Sequence, residues 1–367
     1  MSIEKHKRKK GVVYRVKIHR NGVAISKNFD RIYDAQQFER EIRMSGDRVN
    51  VRYTFSQAAD EWLVNHAEVR KAPRSVYTDK QMLRDNLLPH FGSMPLRDIA
   101  PELLDHFIGR LRKDVKSPST INRNLELFRT IFNYAIKRRR ALYNPIKAVG
   151  LMRIQEPPFD YWETHEADQF LRYTEQKHQR TRGDLAFLYK FAINTGCRLG
   201  EILGLGWSDV NLGNRLIAIR RSYDSYQRKI KDTTKGRKIR HVPINSAIYD
   251  DLVRMKAERK GDLVFATISG NPKDRSNVTH YFQRDTLEAG VRKIRFHDLR
   301  HTYASHFMMN GGDIYHLKEI LGHSDIKTTQ RYAHLSKSFL VDKADTVCFS
   351  TGEKVIRVNF NKDAANA

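Results

Sequence analysis

The sequence predicts three folded parts: a small β-sheet-plus-helix N-terminal module, an all-α domain, and a mostly helical α+β domain. Three observations predict this. Apolar residues alternate with period two near the N-terminus, follow helical spacing from Thr54 onward, and mix both patterns after Trp162. The double proline Pro157-Pro158 separates the last two parts. A length of 367 residues suits two or three domains, each with its own core.

Residues 1–10 read as a basic lead-in. From Gly11, the residues Val12, Tyr14, Val16 and Ile18 alternate with Val13, Arg15, Lys17 and His19, the period of a half-exposed strand. Asn21-Gly22 is a strong hairpin signal, and a second strand runs from Val23 to Phe29. Residues 34–43 read as a helix with Ala35, Phe38 and Ile42 on one face. The module spans residues 1–50.

Thr54-Phe55-Ser56-Gln57 is a capping box that opens the helical domain, residues 54–150. Phe55, Ala58, Ala59, Trp62 and Leu63 follow it at helical spacing. A second helix is expected at 74–89, ended by Pro89 and Gly92, and a third at 101–112. Ser117-Pro118 pairs an N-cap with a proline at the first helical position. Ile121, Leu125, Phe128, Phe132 and Ala135 then form one apolar stripe. Lys137-Arg138-Arg139-Arg140 closes that helix, and Asn144-Pro145 stops the chain.

Leu151 to Trp162 reads as a linker. The third domain, residues 163–345, should hold helices at 164–177, 184–195, 246–258, 276–289, 298–309, 313–321 and 325–333. Strands are expected at Leu216–Tyr223 and Ile239–Ile244, joined by a polar stretch around Thr233-Thr234-Lys235-Gly236. In the tail, 346–367, Ile356, Val358 and Phe360 alternate with Arg357 and Asn359, as in a strand that pairs within its own chain or with a neighbouring copy.

Charge narrows the function. Lys plus Arg is 67 and Asp plus Glu is 42, a net charge of +25. The expected partner is a polyanion, with nucleic acid first among polyanions. Residues 1–50 hold 13 Lys/Arg against 6 Asp/Glu, and residues 101–150 hold 11 against 4, so the excess is spread over more than one domain. Arg15 and Lys17 on the open strand face, and Arg123, Lys137 and Arg138 in the helical domain, are candidate DNA contacts. The plain alternative is a solvated hairpin and a solvated helix end.

Other classes are disfavoured. No apolar run reaches the roughly 18 residues of a membrane span. MSIEKHKRKK has no apolar stretch after its charges, unlike a secretory signal. Cys197 and Cys348 are too few for a disulfide framework or a cysteine zinc site. An intracellular, cytoplasmic protein is expected, and the Asn277-Val278-Thr279 sequon is then chance. There is no phosphate-binding Gly-rich loop, no His-Glu-x-x-His and no Gly-x-Ser-x-Gly. His297 and His301 stand four apart as a metal pair would, but lack a carboxylate on their face. No metal or other cofactor is expected, and chemistry must come from side chains alone.

Four stretches carry that chemistry: Asn194–Ile202, Thr234–Lys238, His297–Ser305, and Leu321–Ser324 with Tyr332 nine residues after His323. Phosphodiester transfer without a metal needs charge on two non-bridging oxygens stabilised. Arg198 and Arg300 supply fixed forks of donors for this. His297 lies three residues before Arg300, so one helix start can project both. Lys235 on a hairpin can protonate a leaving oxygen, His323 can bond the phosphate, and Tyr332 can attack phosphorus. Each has a plainer alternative: a salt bridge from Arg198 to Glu201, a solvated Lys235, a satisfied His297, a core Tyr332. The joint order and spacing favour the site.

The chain resembles the tyrosine recombinases of the phage and mobile-element integrase type. The carrying motifs are TGCRLGE at 195–201, TKGRKIRHVPI at 234–244, HDLRHTYAS at 297–305, LGHS at 321–324 and Tyr332 in RYAHL. TINRNLELFRTIFNYAIKR with Asn144-Pro145 resembles the family's core-site binding domain, and the first 50 residues resemble its arm-type modules. The resemblance puts the catalytic set on Arg198, Lys235, His297, Arg300, His323 and Tyr332, with Lys229, Lys231 and Lys238 near enough to compete with Lys235. It implies a 3′-phosphotyrosine intermediate, a Holliday junction, four protomers on double-stranded DNA, and core and arm-type attachment sites. A DNA-bending protein, an excision factor and a prokaryotic host also follow from it. A resolvase or invertase of the same family, a type IB topoisomerase, and a catalytically silent DNA-binding regulator are the alternatives.

Overall fold

The computed structural model of the protein describes residues 2–8, 11–20, 23–36, 38–39, 53–154, 159–178, 183–232, 239–259 and 261–336. The chain divides into two compact units, Met1–Pro157 and Pro158–Ala367.

The first unit opens with a three-stranded antiparallel sheet, β1 (Ser2–Arg8), β2 (Gly11–Arg20) and β3 (Val23–Phe29), with β2 in the centre. The expected basic lead-in is therefore a strand; Ile3 pairs with Val16, and Lys5 with Tyr14. Its apolar Ile3 joins Tyr14, Val16, Phe29, Ala35 and Phe38 in a small core, which the charges around it obscured in the sequence. Residues 32–36 and 38–39 are helical. The Asn21-Gly22 turn and residues 40–50 lie outside the described residues.

The helical domain starts at the expected capping box. Gln57 N donates to Thr54 Oγ1 at 3.3 Å and Thr54 N donates to Gln57 Oε1 at 3.0 Å. Helix α1 (Phe55–Trp62) runs through a π-helical turn, Leu63–Ala67, into Glu68–Arg70. Helix α2 (Pro73–Met82) passes through a second π turn, Leu83–Leu87, into Leu88–Phe91. Pro89 therefore does not end the helix. Leu88 N bonds back to Leu83 O, five residues earlier, so the π turn shifts the hydrogen-bond register just where Pro89 has no N–H to give. Helix α3 (Pro101–Lys113) and α4 (Pro118–Lys137, capped by Ser117) complete the bundle, and the short α5 (Ile146–Val149) closes it. Phe55, Phe91, Phe107, Phe128 and Phe132 are wholly buried in its core.

The second unit packs helices α6 (Thr164–His178), α7 (Gly183–Thr195), α8 (Leu199–Leu203), α9 (Ser246–Ala257), α10 (Arg275–Glu288), α11 (Asp298–Met309), α12 (Ile314–Leu321) and α13 (Lys327–Gln330). Beside them stands a small sheet in the order β4 (Val210–Asn211), β5 (Leu216–Ile219), β8 (Arg240–Pro243), and a separate hairpin of β6 (Ser222–Asp224) and β7 (Lys229–Lys231). The single strand expected at Leu216–Tyr223 is broken between Ile219 and Ser222. Arg220 and Arg221 both reach the buried carboxylate of Asp209, Arg221 at 2.6 Å. Consecutive residues of a pleated strand point to opposite faces, so this shared grip cannot coexist with a continuous strand.

Two further expectations need correcting. Trp162 is a core residue, not linker: it is fully buried, its Nε1 donates to Arg292 O at 2.7 Å, and its ring lies 4.7 Å from Phe170. The helix expected at 325–333 shrinks to α13, with a 3-10 turn at Ala333–Ser336. Tyr332 N bonds to Thr329 O, three residues back, which is tighter than an α-helix allows. The tail lies outside the described residues.

Candidate active site

The site is built on two glycine turns. Helix α7 ends at Thr195, and Gly196 takes a left-handed φ of +63°. A Cβ there would meet Tyr303 Cδ1 at 2.7 Å, so only glycine permits the reversal that makes Arg198 the N-cap of α8. The Arg198 backbone N–H and its Nη1 both donate to Glu201, at 2.8 and 3.1 Å. Glu201 is buried and also takes two hydrogen bonds from Arg240 on β8, at 2.9 and 2.6 Å. Burial opposes the Glu201 charge most strongly. The hydrogen bonds and charge of Arg240, then Arg198, outweigh it, and the pKa falls to about 2.

The second turn ends α12. Gly322 is left-handed, and Gly322 N bonds to Glu319 O while His323 N bonds to Lys318 O. These two bonds make a Schellman motif, which turns His323 away from the helix. A Cβ on Gly322 would meet Arg240 Cδ at 2.7 Å. Arg240 Nε in turn donates to Ile320 O at 2.8 Å.

Arg300, on the first turn of α11, ties the two turns together. Its Nη1 donates to Gly196 O at 2.8 Å and its Nη2 to Leu321 O at 2.6 Å. It is 3% exposed. Burial, then the charge of Arg198, lowers its pKa to about 9, which leaves it cationic at neutral pH. Of its five N–H donors, two are used on these carbonyls. Arg198 is the more accessible of the pair, its side chain 36% exposed.

The histidines face this positive field. His297, at the N-cap of α11, has its pKa lowered by partial desolvation and then by Arg300. His323 accepts or donates at Nδ1 to Thr329 Oγ1, 2.9 Å away, and burial followed by Arg300, Arg198 and Arg240 pushes its pKa down to about 3. Both shifts favour the neutral ring at pH 7. Tyr332 is 1% exposed, and burial raises its pKa to about 12. Its hydroxyl lies 2.5 Å from Nδ1 of His301. Phe159 covers both rings, stacked on His301 at 5.2 Å and edge-on to Tyr332 at 4.9 Å.

The structure thus places Arg198 and His323 at the two glycine turns that Arg300 pins together, with His297 one helical turn from Arg300 and Tyr332 beside α11. Lys235 and Lys238 lie outside the described residues. Lys231 is engaged by Asp224 at 2.5 Å, and Lys229 is on the same short hairpin. The plainer alternatives coexist with the site: the Arg198–Glu201 bridge exists and Tyr332 is buried. Arg15 bonds Asn28 at 3.1 Å and Lys17 pairs with Glu4 at 2.9 Å, both on the sheet face opposite Val16. Arg123, Lys137 and Arg138 are exposed on or just after α4. Among the described residues, no group of three His, Cys, Asp or Glu converges as metal ligands.

Sequence reasoning missed Arg240 and Phe159, and weighed His301 only as half of a metal pair, not as a partner of Tyr332. A signal existed for two of the three. Arg240, Val242 and Ile244 are spaced by two and all buried, which marks Arg240 as a core-facing charge. His301 follows His297 by four, on the same helix face.

The profile of the phage integrase family matches residues 161–338, and that of the phage integrase central domain matches residues 55–150. This chain belongs to the phage integrase family of tyrosine recombinases. It is 29% identical over 301 residues to the integrase of Escherichia phage 186, covering 79% of this chain and 80% of that protein. It is 28% identical over 271 residues to tyrosine recombinase XerD of Staphylococcus epidermidis, 71% of this chain and 84% of that protein. The same fold is seen in the Tn1549 transposon integrase bound to transposon right end DNA, with a TM-score of 0.68, 19% identity, and 80% and 99% of the two chains covered. A lambda integrase tetramer bound to a Holliday junction aligns with a TM-score of 0.64 and 16% identity over 89% and 94%. The recombinase is an enzyme of site-specific DNA strand cleavage and rejoining. Among its described residues, no helix is long and apolar enough to cross a membrane.

Proposed function

We propose that this recombinase integrates a phage or other mobile element at a specific DNA site and excises it again. Residues 1–50 bind arm-type sites through the sheet face bearing Arg15 and Lys17, residues 54–150 hold the core site, and the domain from 163 to 345 carries out the chemistry. Arg198 and Arg300 grip the two non-bridging oxygens of the scissile phosphate. His297 and His323, neutral in the free protein, donate hydrogen bonds to it and gain protons as its charge offsets the arginines. Tyr332 Oη attacks phosphorus and the bond to the 5′-oxygen breaks, leaving a 3′-phosphotyrosine. Lys235 gives its proton to that oxygen, forming a free 5′-hydroxyl. The hydroxyl of one strand then attacks the phosphotyrosine of the other, so every bond broken is replaced. Two such rounds pass through a Holliday junction in a homotetramer, the assembly seen for the lambda integrase. A DNA-bending protein and an excision factor assist, in the cytoplasm of a prokaryotic host.

The observation that carries this reading is Arg300 holding Gly196 O and Leu321 O at once, which assembles three distant motifs into one cationic site. The test is a nicked suicide substrate, on which Tyr332→Phe must bind normally and form no covalent adduct. An adduct in the variant moves the nucleophile to another tyrosine, with Tyr303, packed on Gly196, and the exposed Tyr315 next in line. Cleavage by Lys235→Ala, restored by a 5′-bridging sulfur that leaves without a proton, identifies the general acid; restoration in Lys231→Ala or Lys238→Ala instead transfers the role.

A further inference from the structure

We propose that His301 is a positioning residue of the reaction: its Nδ1 accepts the hydrogen bond of the Tyr332 hydroxyl and aims the nucleophile, while Phe159 locks the two rings together. This inference rests on Tyr332 being the nucleophile.

The geometry has three independent parts. The Oη to Nδ1 separation of 2.5 Å puts two side chains on separate elements in direct hydrogen-bond contact. The His301 ring is fixed on two sides, with Phe159 stacked at an interplanar angle of 27° and His297 edge-on at 85°, its centroid 5.3 Å away. His301 is only 7% exposed, so water does not compete for Nδ1. His301 also bridges two parts of the site: it follows Arg300 directly and sits one helical turn after His297.

Electrostatics agree with the acceptor role. Burial, then His297 and Arg331, lowers the His301 pKa to about 4, so the ring is neutral at pH 7. With its one proton on Nε2, Nδ1 is free to accept the phenolic O–H. A tyrosine Oη swings on a long lever, and an error of about 1 Å at a reacting atom costs about a hundredfold in rate. The Tyr332 backbone is held by two short turns, its N–H donating to Thr329 O and its carbonyl accepting from Leu335 N, which leave the side chain free to swing. The side-chain hydrogen bond and the Phe159 ring supply the remaining restraint.

The choice of nitrogen makes the test sharp. An asparagine amide at position 301 places its polar atom where Nδ1 stands, whereas a glutamine amide places it nearer Nε2. Single-turnover covalent attachment to a suicide substrate, together with gel-shift affinity, is measured for His301→Ala, His301→Asn, His301→Gln, Phe159→Ala and Tyr332→Phe. The expected result is unchanged DNA affinity throughout. Attachment should fall about a hundredfold in His301→Ala and His301→Gln, recover to within about tenfold of wild type in His301→Asn, and fall to a lesser degree in Phe159→Ala. Wild-type attachment rates in His301→Ala overturn the inference, as does equal rescue by Asn and Gln. Faster attachment in His301→Ala also overturns it, by showing that the bond restrains the tyrosine rather than aims it. An adduct surviving in Tyr332→Phe means that the nucleophile itself was misassigned, an outcome the His301 variants cannot mimic.

Discussion

Glu201 serves two arginines, and its replacement separates their roles. Glu201→Gln leaves Arg240 buried without a counter-charge, so a loss of about 3–5 kcal/mol is expected in chemical denaturation. The linkage sign follows from its lowered pKa. The stability Glu201 contributes is complete above its ordinary value of 4.5 and is lost as pH falls toward about 2. Arg198 and Arg300 should behave differently. Arg198→Lys keeps charge but not the fork, and we expect near-normal DNA affinity with cleavage down by about 3 kcal/mol, roughly a hundredfold. Arg300→Lys should lose stability as well, because a lysine cannot bond Gly196 O and Leu321 O together. Equal loss of binding and cleavage in Arg198→Lys would assign Arg198 a structural role. At this scale the sequence was legible where a motif is local. His297 and Arg300 are three apart on one helix, so spacing alone brings them together. Arg240 and Glu201 meet across 39 positions, and only the paired strands reveal it.

The glycine turns test the elements. Gly322→Ala pays for a left-handed φ of +66° and for a Cβ 2.7 Å from Arg240 Cδ. Gly270, with a φ of +78° and nothing within 4 Å of a Cβ, is the control for backbone strain alone. We expect Gly270→Ala to lose about 1 kcal/mol or slightly more, and Gly322→Ala to lose more than that and to cut cleavage too, since its clash shifts the turn that carries His323. Equal thermal shifts and unaltered cleavage in the two variants would show that Arg240 yields without cost. Helix starts were readable because Thr54 and Ser117 bond locally. The π turns and the break at Arg220-Arg221 were not, since a register shift at Leu83 or a carboxylate at Asp209 leaves no local pattern in the residues it affects.

For the molecule as a whole, acid should be destabilising well before carboxylates protonate. His297, His301 and His323 all have pKa values below the ordinary 6.5, the last two at about 4 and 3. The unfolded chain therefore binds protons first, so stability is full above pH 6.5 and declines as pH falls toward 3. The urea midpoint measured from pH 7 to 4 should fall, and His323→Gln should flatten the fall; an unchanged slope would mean that His323 is solvated in the native state. Deleting residues 1–50 should leave core-site cleavage intact, abolish recombination of a full attachment site, and reduce the salt dependence of binding by about one unit per lost phosphate contact. Normal integration by the truncated protein would favour a resolvase or invertase. The order of the parts was legible because each has its own period and composition. The boundary at Trp162 was not, because a single tryptophan beside prolines gives no sign of the core that receives it.

The bridge from Arg300 to Gly196 spans 104 residues, and its second arm reaches Leu321. A ribosome delivers Arg198 first, His297 and Arg300 about a hundred residues later, and Tyr332 after all of them. Until Leu321 has emerged, Arg300 cannot tie the two turns together, and until Tyr332 follows the proposed nucleophile is missing. On the proposed roles, the parts of the chain that hold DNA therefore leave the ribosome well before the residues that cut it are complete.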